Sequence, residues 1–177
     1  MGKVKFSIPG RPRAKDRPRA TVMKTKHGPM ARVYTPKGTV TAENEIAQRF
    51  KIAARGHKLW TGPIMIKIIL VFKIPKAFKG KRLAAAHKGK IWSRDQIDAD
   101  NAQKLILDAL NEVAWVDDRQ VAVIQMAKRY GRPERTDIEI SQLAQEPHEI
   151  TDAQKAMEKK IHGSAQGRFN VDVRQDR

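Results

Sequence analysis

Five aspartates, Asp98, Asp100, Asp108, Asp117 and Asp118, fall between Ile97 and Asp118 in a chain whose formal net charge is +17. Acids gathered inside a basic chain repel one another unless something compensates them. A metal ion, a cationic partner or a helix boundary that needs caps would do so. Asp98 and Asp100 are one residue apart, and in an extended segment such residues point to the same side, so both could meet one ion. Asp100 also reads as the N-cap of the helix that follows, its carboxylate accepting the free N–H groups of the first turn. Lys104 lies one helical turn beyond Asp100 and can reach the same place. Asp117 and Asp118 come after the far end of the helix. For Asp118 to join the first pair the chain must return along the helix, as a strand from Gln120 onward would allow.

Hard divalent ions take oxygen ligands and keep several waters, so two or three carboxylates suffice for Mg²⁺. An ion held in this way can polarise a phosphodiester, orient a water and stabilise the leaving oxygen. Lys104 could neutralise charge on the phosphorus centre or assist the attacking water. The plainer readings are an N-cap beside a solvated acid, and an ordinary turn at Asp117-Asp118. An EF-hand does not fit. Ala102, Gln103 and Ala109 stand where that loop wants an oxygen ligand, a glycine and a bidentate glutamate. The histidines (His27, His57, His87, His148, His162) show no metal-ligand spacing such as HExxH. The absence of cysteine excludes disulfides, thiolate zinc and cysteine nucleophiles.

Lys and Arg number 36 against 19 Asp and Glu, which points to a polyanionic partner, nucleic acid first. Arg11, Arg13, Lys15, Arg17 and Arg19 form one dense cationic loop suited to phosphates. Lys76, Lys79, Lys81, Arg82, Lys88 and Lys90 form a second, directly before the acids. Trp92 could stack on an unpaired base, although aromatic burial favours a core position.

The elements that must position these residues follow from periodicity. Lys3–Ile8 alternates as a strand. Short strands near Thr21–Lys24 and Arg32–Tyr34 suit a hairpin around His27-Gly28-Pro29. Thr41–Arg55 has helical spacing, with Gly56 as its C-cap. Ile64–Ile74 is the strongest strand, with Ile64, Ile66, Ile68, Leu70, Phe72 and Ile74 on one face, which must pack against helices. A short helix is expected around Arg82–His87. In the helix after Asp100, Ile106, Leu107, Leu110, Val113 and Ala114 make an apolar stripe. Val121–Arg129 and Thr136–Gln142 read as strands joined by the turn YGRPER. A short helix over Gln154–Ile161 precedes a Gly-, Ser- and Gln-containing tail that reads as mobile. This order predicts a two-layer α+β domain over residues 1–145, a mixed sheet with helices packed on one face, and a C-terminal appendage over 146–177. No apolar run approaches membrane-spanning length, and no secretory signal is recognisable at the start, so a cytoplasmic protein is expected.

The run DADNAQKLILDALN followed by WVDDRQV resembles the RusA family of Holliday junction resolvases. The pattern is DxDN, then Lys, then DAL, then a DD pair followed by xQV. Here it is carried by Asp98, Asp100, Asn101, Lys104, Asp108-Ala109-Leu110, Asp117-Asp118 and Gln120-Val121. The opening FSIPGRPRAKDRPRAT is similar to phage-type members, and the resemblance covers most of residues 3–142. It implies a RusA-like fold and a Mg²⁺-dependent endonuclease, with Mn²⁺ as a substitute ion, acting on branched DNA in recombination and repair. It implies Asp98, Asp100 and Asp118 as metal ligands and Lys104 as the catalytic lysine. DNA contacts are expected from Arg11, Arg13, Lys15, Arg17, Arg19, Lys81, Arg82 and Asn101. A four-way junction presents two equivalent strands about a two-fold axis, so a C2 homodimer is expected. The rival readings are a non-catalytic nucleic-acid-binding protein and a nuclease for other branched DNA.

Overall fold

The computed structural model describes residues 2–144 except 27 and 96, which lie in one compact unit ending at Ala144. The helix expected over Gln154–Ile161 and the tail after it fall outside the described residues. The elements are β1 (Lys3–Pro9), β2 (Arg19–Thr25), β3 (Gly28–Tyr34), α1 (Lys37–Ala53), β4 (Ile64–Lys73), α2 (Gly80–His87), α3 (Ala99–Leu110), β5 (Val121–Gly131) and β6 (Arg135–Gln142). A 3-10 turn, Asp118–Gln120, leads into β5.

The main sheet has the order β1-β6-β4-β5. Strand β4 pairs parallel with β5 and antiparallel with β6, and β1 closes the other side antiparallel to β6. A parallel neighbour needs a crossover, and α2 and α3 supply it between β4 and β5. The alternation in β4 decides which face is covered. Ile64, Ile66, Ile68, Leu70 and Phe72 are all buried, and they share one core with Ala42, Ile46 and Phe50 of α1 and Leu105, Ile106 and Leu110 of α3. The sheet is therefore mixed, with helices α1 and α3 on one face, as the order of elements predicts. A second apolar cluster, Ile74, Phe78 and Ala86 with Tyr130 packed on it, seats α2.

Several boundaries differ from the expected ones. Helix α1 begins at Lys37, after Pro36, because Thr39 and Ala42 are already core-facing. Its C-cap is Ala54, and Gly56 follows in the left-handed region at φ 73°. Helix α3 stops at Leu110 with Asn111 as its C-cap, so Val113 and Ala114 belong to the turn beyond it. Ala114 is buried there nonetheless. Strands β2 and β3 form a two-stranded sheet of their own, longer than expected, with every residue of β2 exposed. Among the described residues no helix is long and apolar enough to cross a membrane.

Candidate active site

The acidic end of α3 is built from a segment that crosses the end of β5. Lys128 sits in β5 on the helix side of the sheet, in register with Leu70. Its ammonium donates to the carbonyl oxygens of Asp95 at 2.6 Å and Ile97 at 2.8 Å. Ser93 Oγ accepts from Asp95 N at 3.1 Å, and Asp95 Oδ1 from Ile97 N at 3.2 Å. The chain is thus held on both sides just before the acids.

Asp98, not Asp100, caps α3. Its backbone is extended and its Oδ1 accepts from Asp100 N at 3.1 Å. Its other oxygen accepts from the Asn101 side-chain amide at 3.0 Å. The correction has a simple cause. A cap carboxylate bonds the N–H two or three residues on, and only Asp98 stands before the first helical residue. Asp100 lies inside the first turn, where the positive end of the helix dipole favours an anion. Lys104 Nζ donates to Asp100 Oδ2 at 2.8 Å. The Asp100 carboxylate raises the Lys104 pKa, first by that hydrogen bond and then by its charge. Asp98, Asp100 and Lys104 are all exposed, so the group is open to a ligand.

The other acid pair divides its roles. Asp117 caps the turn Asp118–Gln120 in a capping box with Gln120. Its oxygens also accept from Arg119 Nε at 2.9 Å and Nη2 at 2.8 Å. The Arg119 guanidinium lowers the Asp117 pKa to about 2. Asp118 is exposed and accepts only from the Trp115 indole, at 3.3 Å, among the described residues. Gln120 closes the clasp. Its Oε1 accepts from Val116 N and Asp117 N, both at 2.9 Å, and its amide donates to the carbonyls of Trp60 and Gly62.

Within one chain Asp118 does not reach Asp98 and Asp100. Helix α3 has 12 residues and runs about 18 Å, with Asp98 before its start and Asp118 beyond its end. The returning strand begins at Val121 beside Ile64, whereas Lys128, which tethers the Asp98 end, lies beside Leu70. Among the described residues no three acidic, histidine or cysteine side chains come close enough to hold one metal ion. The strand expected to bring Asp118 back is present, but Asp118 precedes it. Asp98 and Asp100 alone offer carboxylate oxygens that suit a hard divalent cation, with water filling the remaining positions.

The basic loop lies against this end of α3. Lys15 N donates to Asn101 O at 3.0 Å, and its ammonium pairs with Asp108 and, at 3.6 Å, with Glu43. The hydrogen bond to Asp108 is the main cause that raises the Lys15 pKa. Arg11 Nη2 lies 3.3 Å from Asp95. Arg13 and Arg17 are exposed and have no ion-pair partner among the described residues, and Arg19 opens the exposed strand β2. Lys81 is exposed on α2, and Arg82 lays its guanidinium 4.0 Å from the Phe78 ring centroid. Trp92 is 64% exposed, against the core position expected of it. It pairs with Arg129 across the edge of β5, and its ring faces that guanidinium at 4.9 Å.

Sequence reasoning missed Asp95, Lys128 and the pairing of Lys15 with Asp108. Lys128 did leave a signal, a lone lysine in the helix-facing alternation of Ile124, Met126 and Tyr130. Lys15 and Asp108 are too far apart in sequence for spacing to connect them.

Residues 9–141 match the family model described as Endodeoxyribonuclease RusA. A relative in Bacillus subtilis (strain 168), named Uncharacterized protein YqaN, is 26% identical over 149 residues, spanning 81% of this chain and 99% of its own. The matched residues take in the loop, the capped acids of α3, Lys104 and the Gln120 clasp, and on that match the chain belongs to the RusA family of endodeoxyribonucleases.

Proposed function

We propose that this chain is a Mg²⁺-dependent endonuclease that resolves four-way DNA junctions as a homodimer, serving recombination and repair. The observation that carries the reading is the joint presentation of Asp98, Asp100 and Lys104 at one exposed, cation-flanked end of α3. Asp98 and Asp100 supply the carboxylate oxygens for the ion, with Asp118 as third ligand. When bound, Mg²⁺, or Mn²⁺ in its place, polarises the scissile phosphodiester and lowers the pKa of an attacking water. Lys104 brings a fixed positive charge to the phosphate oxygens, where negative charge builds up during attack. Arg13 and Arg17 hold the flanking backbone, and Arg11, paired with Asp95 before α3, and Lys15, paired with Asp108 of α3, fix the loop so that this grip has a defined position.

Because Asp118 lies at the far end of α3, its membership of the site requires a second chain. Among the described residues the edge of β5 away from β4 is free of strand partners from Val121 to about Ala127, and Trp92 covers it only at Arg129. A two-fold axis beside that edge would run the two β5 strands antiparallel. The start of one, with Asp118, would then approach the end of the other, with Asp98 and Asp100. Each site of the homodimer would draw acids from both protomers, and each would face one of the two equivalent strands of a junction.

The test is incubation of the full chain with a mobile four-way junction, with Mg²⁺, with Mn²⁺ and with chelator, read on a denaturing gel. Paired symmetric nicks that need the ion are expected, with intact duplex left uncut. A junction that is bound but uncut under every ion condition would leave a binding protein. Equal or better cutting of flaps would move the substrate to other branched DNA.

A further inference from the structure

The sheet face turned away from α1 and α3 carries a basic cavity that the acidic end of α3 does not use. Val71 of β4, Arg129 of β5 and Arg135 of β6 lie on its floor, the end of α2 at Lys88 forms a wall, and its volume is about 240 Å³. Arg135 and Asp137 in this cavity neutralise each other, with Nε 2.9 Å from both carboxylate oxygens, and the Ser7 hydroxyl donates to Asp137 Oδ1 at 2.7 Å. Lys88, Arg129 and Arg132 remain. None of the three has a side-chain hydrogen bond or ion pair among the described residues, and the Arg129 Nε is fully buried without an acceptor. Leaving a buried charged donor unpaired is costly, and an anionic ligand would relieve that cost.

Trp92 lies against Arg129, one of the residues that line this cavity. Ser93 N donates to Lys128 O at 2.9 Å and Tyr130 N to Ile91 O at 3.0 Å, so Trp92 and Arg129 oppose each other as an antiparallel pair. Opposed residues of such a pair project from the same face. The Arg129 guanidinium sits over one side of the indole, and the ring as a whole stays 64% exposed. An aromatic ring braced by a cation on one side and open on the other is a stacking platform that suits any base.

We propose that Trp92 and this cavity form a subsite for one unpaired nucleotide of branched DNA. The base stacks on the open side of Trp92, and the adjoining phosphate enters the cavity toward Lys88, Arg129 and Arg132. In a duplex every base is already stacked and paired, whereas a branch point offers one at little cost, so the subsite favours junctions over linear DNA. Trp92 and Asp98 are six positions apart, at most about 22 Å of chain. The unpaired nucleotide would therefore lie near the strand to be cut. This deepens the nuclease reading, which it relies on only for the identity of the polyanion.

The experiment uses the full chain in chelator, so that binding is read without cleavage. Wild type, Trp92→Phe, Trp92→Ala and Lys88→Ala/Arg132→Ala are titrated with a single-stranded oligonucleotide, a four-way junction and a linear duplex, following tryptophan emission and the salt dependence of affinity. Single strand and junction are expected to quench wild-type emission, and Trp92→Phe to keep most of the affinity while losing the quench. Trp92→Ala should bind the junction about tenfold more weakly with duplex affinity unchanged. The double variant should lower the single-strand salt slope by about 1.4. Quenching that persists in Trp92→Phe, or equal effects of Trp92→Ala on junction and duplex, would overturn the stacking role. An unchanged slope would overturn the phosphate cavity. A wild type that shows all the expected binding yet cuts nothing with Mg²⁺ overturns the nuclease reading and leaves the subsite standing.

Discussion

Adjacent carboxylates of the same type can have opposite duties, and Asp117 and Asp118 do. Asp117 is engaged by a cap, a capping box and a two-point contact with Arg119, which together hold it ionised down to about pH 2. Among the described residues the Asp118 carboxylate meets only an indole N–H. Asp117→Asn is therefore expected to lower the melting temperature, because an amide in that cap is a weaker acceptor and loses the Arg119 pair. It should leave the metal-dependent cleavage rate within a few-fold of wild type. Asp118→Asn, like Asp98→Asn and Asp100→Asn, should cost at least about a hundredfold in single-turnover rate. Junction affinity should hold or rise, since negative charge next to phosphate has been removed. Parallel melting curves and quench-flow rates for Asp117→Asn and Asp118→Asn decide it. A cleavage loss in Asp117→Asn as large as in Asp118→Asn would place both acids at the ion.

At the scale of elements, the exposed hairpin β2–β3 raises a question of what it is for. An isolated two-stranded sheet is marginal in water, and Val22 and Val33, on one side of it, are 68% and 69% exposed. Arg19, Lys24, Lys26 and Arg32 line the same ribbon, and a two-stranded ribbon fits the major groove. Replacing residues 19–34 by a short Gly-Ser linker should leave the melting temperature almost unchanged. DNA affinity should fall, and its salt slope by up to about four units, roughly one per lost phosphate contact. A large fall in melting temperature would instead make the hairpin part of the fold. The hairpin was legible in the sequence from Gly28-Pro29 and its flanks, but its isolation was not, because alternation shows which residues share a face and not whether that face is covered. Strand β4 was legible for the same reason, its alternate apolar face being too uniform for solvent. The cap of α3 was not. Asp98 and Asp100 are equally good cap types, and only the backbone at Asp98 chooses between them. Trp92 was misplaced because burial tendency is a property of the residue type, whereas its exposure follows from pairing with Arg129 at a sheet edge.

At the scale of the whole molecule, the sequence puts three acids in one motif, and the fold puts them at two ends of a helix. The order along the chain was readable and the distance was not, since a motif interrupted by a helix says nothing about where its halves point. If Asp118 acts, it acts on the other protomer's Asp98 and Asp100, and this makes a sharp prediction for mixed dimers. Asp100→Asn and Asp118→Asn are each expected to be inactive as homodimers. In their heterodimer one shared site carries both substitutions, and the other carries neither. The mixture should therefore regain cutting at one site per dimer, seen on a supercoiled cruciform plasmid as nicked circles rather than linear product. Sites built within single chains would each retain one defect, and the mixture would stay inactive. Subunit exchange is verified by differently tagged chains captured together before the substrate is added. An inactive but verified heterodimer, or a chain that sediments as a monomer on and off DNA, would reject the shared site and with it the place of Asp118 in the chemistry.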